Sequence, residues 1–198
     1  MLENQPYMSA MTGAPFLMFE FKKVVQLQLD GLSDKEIKFK ILEENIFQYD
    51  KLSSIKRALP YLLKRANVLD EKLKKYVVEQ PFDLAKIANL FALMKSDRLF
   101  FEFMNEVISE KFEEGNHILE RKDVNIFFSS KAEQNQDVAN WSVKTIQKLK
   151  QVFEKALRDS GIFREKNSRV LHRLILDEEL KTYLIQIGDA QYVRALGE

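Results

Sequence analysis

Apolar residues recur at helical spacing along almost the whole chain, and the breaks between these runs coincide with caps, glycines and prolines. The run 15–31, "PFLMFEFKKVVQLQLDG", opens on Pro15 and closes on Gly31, the order expected of a helix. In 33–45 Ser33 stands three residues ahead of Glu36, a capping box. Further helical runs are predicted at 53–69, 70–80, 81–94, 97–115, 121–134, 137–141 and 142–161, with two short ones in the tail. Residues 97–115 carry Leu99, Phe100, Phe101, Phe103 and Met104 on nearly every face, which predicts a helix in the middle of a bundle. Only 162–176 departs from this period. There two short β-prone runs flank a polar "EKNS" tip, the pattern of a small hairpin. The fold class predicted is all-α, a compact multi-helix bundle with at most one hairpin. An N-terminal helical part (1–75) and a C-terminal part (76–198) are expected to pack as one globular unit.

Composition narrows the classes of function. The chain has 198 residues, 45% of them hydrophobic, enough for a sizeable core. It has no cysteine, so no disulfide framework, thiolate metal site or cysteine nucleophile can form. No apolar run is long enough for a membrane span, and no basic residue precedes an apolar core at the start, so a cytoplasmic protein is expected. His117 and His172 lie far apart in the chain, and no Walker-type or dinucleotide-binding glycine loop is present. These features argue against an enzyme, a metal site or a bound cofactor.

The net charge of +1 hides an uneven distribution. Residues 51–75 hold eight basic against two acidic residues, and residues 144–173 hold nine against three. The three flanking segments are net acidic. A body of that kind can present a positive patch, unless the two blocks are consumed by pairing with the acidic ones.

The second basic block has the more specific order. Winding 142–160 at about 100° per residue gathers Val143, Ile146, Leu149, Phe153, Ala156 and Leu157 into a core stripe. Lys144, Lys148, Gln151 and Lys155 then line the opposite side, behind Ser142 as N-cap. Arg164, Lys166, Arg169 and Arg173 follow in the predicted hairpin. A helix, a short helix, a capped helix with a basic face and then a basic hairpin is the order of a winged helix-turn-helix over 121–176. A row of lysines alone is more often a solvated face; the four further cations in the right order shift the balance toward a polyanion.

The first block repeats the theme: after the short capped helix 33–45, helix 53–69 makes 1–75 a second helix-turn-helix-like part. Ile55, Leu59, Leu62, Ala66 and Leu69 form a core stripe, with Lys56, Arg57, Lys64 and Arg65 away from it. Ser53 and Ser54 mark the predicted helix start, and Pro60 either bends this helix or begins it. The candidate DNA contacts are therefore Ser54, Lys56, Arg57, Lys64 and Arg65, with Ser142, Lys144, Lys148, Lys155, Arg164, Lys166, Arg169 and Arg173.

Four stretches carry a family resemblance: "TGAPFLMFEFKKVVQLQLDGLS", "IANLFALMKSDRLFFEFMNEV", "FFSSKAEQNQDVANWSVKTIQKLKQVFEKALRDSGIF" and "LILDEELKTYLIQIGDAQYVRAL". In sequence and order they resemble the BrxA family of bacteriophage-exclusion (BREX) defence systems, over nearly the whole chain. The resemblance implies a small helical accessory factor that binds double-stranded DNA and is encoded beside a DNA methyltransferase, an ATPase and other defence components. It brings no catalytic motif. Two functions compete on this reading. One is a monomeric DNA-binding module with weak sequence preference, and the other is a scaffold that docks other BREX proteins through the acidic segment 76–143.

Overall fold

The computed structural model describes residues 5–165 and 167–198. Among them the regular structure is helical, as the periodicity requires. The order is a 3-10 turn (Ala10–Thr12), α1 (Met18–Leu29), α2 (Asp34–Glu43), α3 (Leu52–Asn67), α4 (Glu71–Glu79) and α5 (Phe82–Ser96). Next, α6 (Arg98–Phe103) passes through a π turn (Met104–Ser109) into α7 (Glu110–Glu113). Then come α8 (Arg121–Gln134), α9 (Gln136–Ala139), α10 (Val143–Ser160), α11 (Glu178–Gln186) and α12 (Ala190–Ala195).

Local chemistry sets most of these ends. Ser33 and Glu36 form the predicted capping box of α2. Asp70, Asp97 and Ser142 accept backbone N–H groups at the starts of α4, α6 and α10. At the end of α1, Gly31 adopts φ +86°, and the Leu32 N–H reaches back to the Leu27 carbonyl at 3.1 Å. That left-handed residue with its six-residue bond is a Schellman stop.

The first helix starts later than Pro15 suggests, and Arg65 gives the reason. Its side chain is 2% exposed. The guanidinium donates to the carbonyls of Ala14, Pro15 and Phe16 at 2.9, 2.8 and 2.8 Å, and to Asn89 Oδ1 at 3.3 Å. Asn89 adds a second bond to the Phe16 carbonyl at 2.8 Å. Residues 14–16 are thereby held as an arm across α3 and α5, and the helix begins only after Leu17, which sits at φ +43°.

The core is centred on α5, where every residue from Ile87 to Met94 is buried and which packs on α3, α4, α6 and α10. In the α6 segment Leu99, Phe100, Phe103 and Met104 have no exposed surface, while Phe101, expected with them, is half-buried. Five phenylalanines then join three helices. Phe153 of α10 meets Phe100 and Phe103 of α6 at ring-centre distances of 5.1 and 5.2 Å, and Phe128 of α8 at 5.5 Å. Phe103 meets Phe127 at 5.4 Å. Such offset and edge-on pairs fix relative orientation as well as burying area. A polar link reinforces them: buried Lys131 of α8 pairs with Glu102 at 2.7 Å and Glu106 at 2.6 Å, and Tyr7 donates to Glu102 at 2.7 Å.

The hairpin expected over 162–176 is replaced by an irregular loop. One backbone bond joins its arms, from the His172 N–H to the Ile162 carbonyl at 2.9 Å. The returning arm pairs instead with 117–119, through Leu119 N–H to Arg169 and Leu171 N–H to His117, around one antiparallel bridge between Ile118 and Val170. Among the described residues there is no strand. Buried Ile162, Phe163 and Leu171 anchor the loop to the core, which outweighs pairing of its arms with each other.

Two stability tests follow. Arg65→Ala leaves the Ala14 and Pro15 carbonyls without this donor, the Phe16 carbonyl with Asn89 alone, and a cavity in the core, so urea denaturation is expected to show a loss of roughly 3–5 kcal/mol. Burial pushes the Asp97 carboxyl up from 3.8 to about 6, against the Phe100 N–H, Lys64 and Arg65, which pull it down. The folded state therefore holds this proton more tightly than the unfolded chain. The stability it contributes is present below about pH 4 and is lost as pH rises through about 6. Asp97→Asn keeps an acceptor for the cap without the charge. Across that window it is expected to gain roughly 2–3 kcal/mol on the wild type, read from urea midpoints.

Candidate nucleic-acid interface

Helix α10 presents its basic side as the spacing predicts. Ser142 Oγ accepts the Thr145 N–H at 3.1 Å, so the first turn is capped and the positive end of the helix dipole points outward. Lys144 and Lys148 are exposed, and neither has an ion pair or hydrogen bond among the described residues. Gln147 and Gln151 are exposed beside them. No acidic residue occurs between 142 and 151.

Buried contacts of α10 begin only at Leu149. Ile146 is half-buried, and Val143, expected in the core stripe, is 74% exposed. The first two turns thus touch the packed body through Ile146 and leave Val143, Lys144, Gln147 and Lys148 in solvent. Periodicity identifies the side of a helix that faces inward, but not how far along its axis the neighbouring surface reaches. Gly161, at φ +94°, ends the helix as expected.

Downstream the predicted cations divide. Arg164 is exposed and has no partner among the described residues, while Lys166 lies outside the described residues. Arg169 is not a free cation: it makes a two-pronged pair with Glu154 of α10 at 2.8 and 3.2 Å and donates to the Leu119 carbonyl. Arg173 donates to the Phe112 carbonyl at 2.9 Å and stacks on that ring, 4.9 Å from its centre. Lys155 pairs with Asp159 one turn on, at 2.6 Å. Three expected contacts are thus engaged with the protein's own carbonyls or carboxylates. Arg158 of α10, exposed and 5.9 Å from the Phe163 ring, is a surface cation the sequence reading did not single out.

The first block divides in the same way. Lys56 and Arg57 are exposed and carry no ion pair among the described residues. The Arg57 stem lies across Gly13, where an added Cβ would sit 3.1 Å from its Cγ and would push the stem aside. Gly13 closes the 3-10 turn, which packs against α10. The N-terminal arm therefore runs from the start of α3 to α10, although residues 76–143 separate the two blocks in sequence. Lys64 donates to the Ser96 carbonyl at 2.9 Å and is only partly available. Arg65 is removed altogether, because the core needs its guanidinium. Ser54 is exposed in the first turn of a helix that starts at Leu52 with no side-chain cap, so the serines do not mark the start. Pro60 lies on the exposed side of a continuous α3, where the Lys56 carbonyl that loses its helical donor is open to water.

The arrangement offers charge rather than chemistry. Among the described residues no three metal-ligating side chains converge. The bridge at 118 and 170 brings His117 and His172 close along the chain path, but alternation places them on opposite faces of that pairing. No helix among the described residues is long and apolar enough to cross a membrane.

Three comparisons bear on the family. The family model described as BrxA matches residues 5–188. A BREX protein BrxA of Bacillus cereus (strain H3081.97) is 37% identical over 197 residues, covering 99% of this chain and 98% of the relative. A BREX protein BrxA of Escherichia coli O9:H4 (strain HS) is 22% identical over 197 residues, covering 99% and 92%. The crystal structure of an uncharacterized protein from Magnetospirillum magneticum shares the fold, with a TM-score of 0.83 at 20% identity over 97% and 98% of the two chains.

The division between engaged and free cations is open to measurement. Arg169→Ala, which strips Glu154 and the Leu119 carbonyl of their donor, is expected to cost roughly 1–3 kcal/mol in urea denaturation. Lys144→Ala, Lys148→Ala and Arg164→Ala are expected to stay within about 0.5 kcal/mol of the wild type.

Proposed function

The chain belongs to the BrxA family of BREX phage-defence proteins, and on that premise we propose that it is a non-enzymatic accessory factor that binds double-stranded DNA. Binding goes mainly to the phosphate backbone. The observation that carries this reading is the free pair Lys144 and Lys148, one turn apart on the exposed, capped start of α10, with no carboxylate in that run. Two lysines at that spacing match phosphates as point charges, and the N-terminal dipole adds to their field. Arg164, Lys56 and Arg57 bring the unpaired cations within the candidate set to five. Weak sequence preference is expected, because the unpaired cations outnumber Gln147 and Gln151, the residues on that face suited to bidentate base reading.

An adaptor role that docks another defence component has its own support. An open groove of about 280 Å³ lies along the π turn, lined by Glu106, Glu110 and Glu114 together with Val107, Ile126 and Phe127. A lining that is both acidic and apolar suits a basic protein segment, and nothing in that reading excludes simultaneous DNA binding.

Fluorescence anisotropy on a short duplex across a salt series separates the two. With about five phosphates neutralised, log affinity is expected to fall against log salt with a slope of about −4 to −5. Lys144→Glu/Lys148→Glu is expected to reduce that slope by about 2 and weaken binding to every duplex sequence alike. A wild-type response independent of salt, or a double variant that binds as the wild type does, refutes the DNA reading.

A further inference from the structure

Where the π turn and α7 face α8, the side chains of the groove are arranged against the interest of the fold. Glu106, Glu110, Glu114 and Asp123 all line it, and the nearby lysines leave two of them unanswered. Lys111 pairs with Asp123 at 2.8 Å, and Lys131 takes Glu106 at 2.6 Å together with Glu102 at 2.7 Å. Glu110 and Glu114 are exposed, and neither has an ion pair among the described residues. Their placement opposes the helix that carries them. Glu106, Glu110 and Glu114 follow at four-residue intervals, where like charges repel, and Glu114 is the C-cap of α7, at the negative end of the dipole. Across from them Ile126 of α8 is 64% exposed, with half-buried Val107 and buried Phe127 in the same lining. A lone exposed isoleucine or a surface glutamate is ordinary. Here an uncovered apolar side chain and two carboxylates that the fold does not use share one concavity, at a π turn, a distortion found frequently at functional sites.

We propose that this groove docks a basic helical segment of a partner protein. An arginine or lysine of that segment meets Glu110 and Glu114, and a leucine or isoleucine beside it covers Ile126. This rests on the adaptor role described above and assigns that role a surface and a chemistry. Charge selects the class of occupant, since the unpaired carboxylates repel a nucleic-acid backbone and attract a cationic chain. Size selects the form. At about 280 Å³ the groove lies just below the roughly 300–1,000 Å³ of cavities that enclose small molecules, and it is open, so it takes a few side chains of a larger partner. A helix with Arg and Leu three or four residues apart presents both on one face, the spacing by which amphipathic helices anchor in grooves. Exposed ion pairs and a single apolar contact hold weakly, so an isolated segment binds with low affinity and exchanges fast. None of the cations assigned to DNA lines the groove, which leaves them free for the duplex while the partner is held.

An NMR titration of the ¹⁵N-labelled full chain tests this, with an alanine-based helical peptide of about 16 residues bearing Arg and Leu four residues apart on one face. Amide shifts are expected in 106–114 and 123–130, with 142–148 unmoved. Replacing the arginines of the peptide by glutamates, or its leucines by serines, is expected to abolish the shifts. Glu110→Gln/Glu114→Gln is expected to weaken binding about fivefold or more. Because both charges oppose their helix, the same variant is expected to raise the urea midpoint rather than lower it. Weaker binding together with higher stability is a result that carboxylates with a purely structural role would not give. No shift, a shift centred elsewhere, an acidic peptide that binds as tightly as the basic one, or a double variant that loses stability overturns the assignment. If the chain captures another protein of its BREX system and the double variant captures it equally well, the adaptor role stands and this groove is not its seat.

Discussion

A buried guanidinium organises this molecule. An isolated cation within a protein interior is costly, and Arg65 meets that cost with neutral acceptors rather than with a directly bonded carboxylate. Three consecutive carbonyls and the Asn89 amide oxygen surround it, from an arm about 50 residues upstream and a helix about 24 downstream. Burial draws the guanidinium down to about 10, with the Asp97 charge opposing, so it remains charged near neutral pH. The arm has no regular structure of its own between the 3-10 turn and α1, and this cluster of bonds supplies the backbone partners that a helix would otherwise provide. Once fixed, the arm lies under Arg57 on one side and against α10 on the other.

The rest of the architecture serves to hold α10 by its far end. Phe153, Ala156 and Leu157 are locked into the aromatic cluster, Glu154 is clamped by Arg169, and Lys150 reaches Asn125 of α8 at 2.7 Å. The near end, from Ser142 to Lys148, has its cap, its own backbone bonds and the single half-buried anchor Ile146. A rigid root with a free tip is how a helix can be offered to a large partner without the body of the protein obstructing the approach. The cations that look alike in sequence thus separate by position. Those at the root became internal fasteners, and those at the tip stayed in water.

Much of the fold was legible because its signals are local. The capping box at Ser33, the stop at Gly31, the cap at Ser142 and the stop at Gly161 each depend on a few adjacent residues. The family resemblance was legible for the same reason. What escaped depends on contacts distant in sequence. Arg65 follows Leu62 by three residues and Ala58 by seven, so helical spacing sets it at the edge of the core stripe. That signal was available, but three neighbouring cations that do face outward masked it. The roles of Arg169 and Arg173 could not be read, because their acceptors, at Glu154, Leu119 and Phe112, are 15 to 61 residues away. The hairpin failed for a related reason: its β-prone residues found the 117–119 segment and the core before each other.

The lightly anchored start of α10 has one more consequence. Because Val143, Lys144, Gln147 and Lys148 touch nothing that the core requires, their identities carry almost no weight in folding. Natural variation can rewrite this surface, exchanging one recognition chemistry for another, while the scaffold behind it stays the same.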